Sequence, residues 1–166
     1  MNAAAARMES NTQDVIVNSK LLGALSIPAE QVFTFREGVF GFPEAHGFAL
    51  VPAERDGFFW LQSVDFEALT FLLLDPFEFV EGYAVELGPH ELRDLAPEDA
   101  SQLVILSIIT LPRKPGEDAT VNLQGPVALD LARREGRQVV IQDSPYGLRY
   151  PVPLNRSEAS ENEAKP

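Results

Sequence analysis

The chain has 166 residues, 45% of them apolar, and a mean hydropathy of −0.05, the profile of one globular domain around a single core rather than of a disordered or membrane-spanning chain. Lys and Arg number 13 against 25 Asp and Glu, a net charge of −12, and a surface so charged repels phosphate backbones, which excludes direct nucleic-acid binding. With no cysteine, disulfide scaffolds, thiolate nucleophiles, Fe–S clusters and cysteine-bound zinc are excluded as well.

Met1 to Arg7 carries four alanines and no apolar h-region, so no secretory signal is expected and the protein is placed in the cytoplasm. Residues 1–13 are small and polar and are expected to be a disordered extension. From residue 14 onward, short runs rich in β-branched and aromatic side chains recur between Pro, Gly and Asp, the spacing of an antiparallel β fold. Strands are expected near 14–19, 22–27, 31–36, 47–52, 58–64 and 69–74. Phe58-Phe59-Trp60-Leu61 and Phe71-Leu72-Leu73-Leu74 are nearly continuous apolar runs, so both faces of each should be covered in a barrel or sandwich core. Asp75-Pro76-Phe77-Glu78-Phe79 follows as a turn with two aromatics two apart. Those rings either cap the core or form an exposed anchor for a partner.

A strand is expected at 82–87, where alternation puts Tyr83, Val85 and Leu87 on one face and turns Glu86 to solvent. Pro89 to Leu95 is a helix candidate, with Pro in its first turn and Leu92 and Leu95 on one face, and a second short turn is expected at Pro97. Gln102 to Leu111 has helical length, but its β-branched residues and the stop at Pro112 make it a central strand. Its apolar stretch is well short of the roughly 18 residues of a membrane helix. Strands are expected again near 119–123, 126–130 and 137–142, and residues 155–166 as a disordered acidic tail. The fold class is thus mainly β: a compact antiparallel β-barrel-like single domain over residues 14–154, with one or two short helices.

Chemistry-bearing motifs are sparse. His46 and His90 have no second ligand at metal spacing and are expected at the surface. Gly38, Gly41 and Gly47 match neither the dinucleotide nor the P-loop pattern and are expected to be turn glycines at positive φ. The pairs Asp65/Glu67 and Glu78/Glu81 are what an acidic chain produces without catalysis, and Ser63 and Ser144 have no partners in a nucleophile motif. No catalytic residue, cofactor or metal is assigned, and the protein is not expected to be an enzyme. The charge is nevertheless uneven: residues 64–100 hold ten acids against one base, Arg93. That stretch is either a solvated face that aids solubility or a docking surface for a basic partner.

Five segments carry a family resemblance: Phe35-Arg-Glu-Gly-Val-Phe-Gly-Phe-Pro43, Phe59-Trp-Leu-Gln-Ser63, Phe71-Leu-Leu-Leu-Asp-Pro-Phe77, Ala119-Thr-Val-Asn-Leu-Gln-Gly-Pro126 and Gly136-Arg-Gln-Val-Val-Ile-Gln-Asp143 before Tyr146. In this order they resemble the flagellar assembly factor FliW family over about residues 14–152. The chain departs from the family pattern at Val39-Phe40-Gly41, where Leu-Pro-Gly is usual, and in its N-terminal extension. The resemblance implies a cytoplasmic, non-enzymatic protein, a monomer when free, that binds flagellin and antagonises the translational regulator CsrA, relieving repression of flagellin synthesis. A flagellin-dedicated export or folding chaperone without a regulatory role is the alternative. Asp75, Glu78, Glu81 and Glu86 are the expected electrostatic docking residues, with Phe77, Phe79 and Tyr83 as anchors.

Overall fold

The computed structural model describes residues 13–87, 102–142 and 144–153. In chain order the strands are β1 (Asp14–Ser19), β2 (Gly23–Pro28), β3 (Val32–Thr34), β4 (Gly47–Pro52), β5 (Phe58–Ser63), β6 (Thr70–Leu74), β7 (Leu103–Thr110), β8 (Ala119–Val121), β9 (Val127–Asp130), β10 (Glu135–Gln138) and β11 (Tyr150–Val152). A single helical turn, α1 (Pro76–Phe79), follows β6. Strands β3 to β7 pair in sequence, each antiparallel to the next. β7 then pairs with β9 and β9 with β10, again antiparallel, and β10 returns to β3 through one parallel pair, Glu135 with Thr34. Seven strands therefore close into a barrel, which removes the free edges that an open sheet would present.

β7 is the central strand the sequence suggests. Its first half pairs with β9 and its last residues with β8. The step between those two partners is a loop in which the Asn122 side-chain oxygen accepts from the backbone N–H groups of Gln124 and Gly125, at 3.1 and 2.8 Å. β8 in turn pairs with β11.

The period of two along each strand sorts residues between the inside and outside of the barrel. Phe48, Phe59, Leu61, Leu73, Leu106, Val127 and Leu129 fill the interior with Phe33 and Phe35. The rings of Phe35 and Phe48 meet edge-on at 5.0 Å. Gly136 makes room for this filling, because a Cβ there would collide with the Phe35 ring.

Three satellite clusters cover parts of the outside. The β1–β2 hairpin lays Val17 and Ile27 on Ala49, with Val51 alongside. Phe58, Leu74, Val80, Tyr83, Ile109, Val121, Leu123 and Val152 form a second layer, and Ile105, Ala128 and Val139 a third, under Val85 and Leu87. Both faces of β5 and β6 are thus covered, as their continuous apolar runs require.

Some expected elements are displaced. No ladder forms over 82–87: the segment is extended but unpaired, and its alternation arises from Tyr83, Val85 and Leu87 lying on outward-facing barrel residues. The strand expected at 137–142 is β10, which begins and ends earlier, at Glu135–Gln138. Its start follows the turn that brings Arg134 N–H onto the Asp130 carbonyl at 2.7 Å. The Asp75–Phe79 turn is the helical turn α1, and β11 is a strand that its proline concealed. Gly38 and Gly41 have positive φ, at 69° and 90°, but Gly47 does not; it opens β4 as an ordinary strand residue. The helix candidate Pro89–Leu95 and the turn at Pro97 lie outside the described residues.

Candidate functional site

The seven residues singled out from the sequence lie on one segment of chain after β6, but only some of them reach the surface and they do different work. Asp75 is the N-cap of α1: its Oδ1 accepts from the Phe77 backbone N–H at 2.9 Å, and Pro76 sits where a helix has no N–H to spare. The turn closes with Val80 N–H on the Pro76 carbonyl at 2.9 Å. Its geometry sends the two phenylalanines in opposite directions. Phe79 turns inward and meets Phe58 edge-on at 5.0 Å, with the Arg55 guanidinium 4.9 Å from the Phe58 ring and 5.7 Å from that of Phe79. Phe77 stays 52% exposed.

Beneath Phe77 lies a chain of tyrosines. Phe77 meets Tyr83 edge-on at 5.1 Å, Tyr83 lies 5.1 Å from Tyr146, and Tyr146 6.1 Å from Tyr150. The Tyr146 hydroxyl donates to the Gly82 carbonyl at 3.2 Å, which pins the bend after α1. Tyr83 is only 7% exposed, so it supports Phe77 from below and presents little area of its own. Burial, and then the neighbouring Tyr146, push its phenol up to about 12. Tyr146 and Tyr150 are contributors that no local pattern signals, because they come from β11 and the loop before it, far along the chain.

Glu78, Glu81 and Glu86 are exposed along this segment. The ion pairs Arg36–Glu135, at 3.2 Å, and Arg137–Glu37, at 3.0 Å, involve none of them. The arrangement is an aromatic ledge fixed on the barrel, with three exposed carboxylates along the same segment of chain. It presents exposed aromatic area and negative charge, and among the described residues of this segment no polar groups converge as bond chemistry would need.

The other polar candidates have structural roles. His46 is exposed, with Nδ1 2.9 Å from the Phe35 carbonyl oxygen. Asp65 Oδ2 accepts from the backbone N–H groups of His46 and Gly47 at 3.0 and 3.1 Å, and Ser63 Oγ from those of Asp65 and Phe66 at 3.1 and 2.9 Å. Ser144 Oγ accepts from Tyr146 N–H at 3.2 Å. His90 lies outside the described residues. Among the described residues, no cluster of His, Asp and Glu is arranged to hold a metal, and no helix is long and apolar enough to cross a membrane.

Comparison with known proteins gives a consistent family. The family model described as FliW protein matches residues 16–152. A flagellar assembly factor FliW of Natranaerobius thermophilus is 34% identical over 82% of this chain and 91% of its own length. One from Exiguobacterium is 33% identical over 87% and 99%, and one from Treponema denticola 29% over 88% and 99%. A crystal structure of the flagellar assembly factor FliW superposes with a TM-score of 0.75 at 29% identity, covering 82% of this chain and 96% of that one.

Proposed function

The chain belongs to the FliW family of flagellar assembly factors, and from that membership we propose that it is a cytoplasmic, non-enzymatic switch that binds both flagellin and the translational regulator CsrA. When flagellin is scarce, the free protein sequesters CsrA and flagellin synthesis is relieved of repression. When flagellin accumulates it occupies the protein, and CsrA is released. The observation that supports the CsrA arm is the segment from Asp75 to Glu86, in which Glu78, Glu81 and Glu86 are exposed and Phe77 is held half out into solvent. A regulator that binds RNA carries basic surface, and exposed carboxylates steer such a partner while repelling the RNA itself.

The test is size-exclusion chromatography of the full chain mixed with purified CsrA, purified flagellin, or both. Complexes with each partner alone, and loss of the CsrA complex as flagellin is added, are expected. A flagellin complex with no CsrA complex at any ratio would reduce the protein to a flagellin export or folding chaperone.

A further inference from the structure

At the end of the β5–β6 hairpin opposite α1, two loops hold phenylalanines out into solvent. Phe42 is 43% exposed and Phe66 45%. Between them lies a groove of about 350 Å³, walled and floored by Phe42, Pro43, Ala45, Phe66 and Leu69. Exposed aromatic area of this kind is unfavourable in water unless something covers it, yet both loops are braced to keep the rings where they are.

On one side, Val39 and Phe42 exchange backbone hydrogen bonds, with Phe42 N–H on the Val39 carbonyl at 2.6 Å, and Val39 is buried beneath. This turn requires Gly38, which has φ 69° and whose added Cβ would collide with the Phe42 carbonyl oxygen. The Phe42 ring then rests edge-on against Phe71 at 5.7 Å, which ties the groove wall to the core. On the other side, Ser63 Oγ accepts from Phe66 N–H at 2.9 Å. Gln62, fully buried, donates through Nε2 to the carbonyls of Ser63, Phe66 and Glu67 at 3.0, 3.4 and 3.3 Å. A buried amide whose donors are given over to one exposed turn fixes the position of Phe66.

The charge around the groove is mainly negative. Glu44 is the charged residue in its lining, and the exposed Asp65 and Glu67 bracket Phe66. Lys20 is tied to Glu67 through its backbone N–H at 2.9 Å, but the lining itself holds no cation. We propose that this groove docks an apolar segment of a partner protein that carries Lys or Arg beside its apolar side chains. The apolar residues cover Phe42 and Phe66, and the cations meet Glu44, Asp65 and Glu67 at the rim. The groove is separated from Glu78 and Glu81 by the length of β5, six residues or roughly 20 Å, so failure of one surface leaves the other testable.

The probes are two synthetic helical peptides with the same Leu and Phe spacing, one flanked by lysines and one by glutamates, titrated by fluorescence anisotropy against the full chain. The lysine-flanked peptide should bind, Phe66→Ala should weaken it about tenfold or more, and Glu44→Lys about threefold at low salt. Reversal of Glu78 and Glu81 to lysine should leave it within about twofold at moderate salt. Circular dichroism and melting of each variant control for folding, and Glu44→Lys, at an exposed site, keeps the test intact should Phe66→Ala unfold. Equal affinity for both peptides, no binding of either, or an unchanged affinity in folded Phe66→Ala would overturn the proposal. So would a dimer in sedimentation that Phe66→Ala abolishes, which would assign the groove to a second copy of the chain.

Discussion

Gly136 and Tyr83 show how single residues are fixed by neighbours distant in sequence. Gly136 faces the Phe35 ring, and Gly136→Ala forces that ring or β10 to move. Overpacking of this kind costs about 1–3 kcal/mol, so a melting temperature lowered by several degrees with a retained β spectrum is expected. Nothing local to Gly136 announces this, whereas loop composition points to Gly38 and Gly41 as turn glycines, although the same signal misleads at Gly47, which opens β4.

Tyr83 gives a pH prediction. Its phenol is raised to about 12 from an ordinary 10, first by burial and then by Tyr146, so the folded state holds the proton more tightly than the unfolded chain does. The contribution is fully present below pH 10 and is lost as pH climbs towards 12. Melting temperature should fall across that window, and the fall should be shallower in Tyr83→Phe. An identical slope in the two proteins would remove Tyr83 as its source.

At the scale of elements, the alternation over residues 82–87 teaches most. Tyr83, Val85 and Leu87 do share the inward face and Glu86 does point outward, but no strand pairs with the segment. A period of two reports which side is covered; it says nothing about whether the cover is a neighbouring strand or, as here, the outer wall of a barrel. β11 was concealed for a related reason, since three residues with a central proline carry too little pattern to be read as a strand.

α1 was legible in its parts, because Asp-Pro is an N-cap followed by a first-turn proline, although one turn is too short to be told from a simple bend. Asp75→Ala removes the cap and should cost about 1 kcal/mol. Because α1 aims Phe77 outward, that variant should also weaken any contact made through the ledge, read as a faster dissociation rate.

At the scale of the whole molecule, the closed barrel supplies rigidity and the loops and outer layers supply the surfaces. The mainly β architecture and the central β7 followed from β-branched runs and turn residues. Closure did not, because it depends on one parallel pair between β10 and β3, residues about a hundred positions apart. The acidic strip was visible as composition, but its division into cap, inward rings and outward carboxylates needed the geometry of α1 and the tyrosines beneath it.

If this strip receives a basic regulator, as proposed, surface-plasmon kinetics against CsrA at two salt concentrations will read it. With Glu78, Glu81 and Glu86 all reversed to lysine, association at low salt should slow by about tenfold or more and its salt dependence should flatten or invert, while circular dichroism stays unchanged because exposed carboxylates contribute little to stability. Association rates equal to those of the parent chain at both salts, in a folded triple variant, would contradict the account and leave the acidic strip as a solvated face.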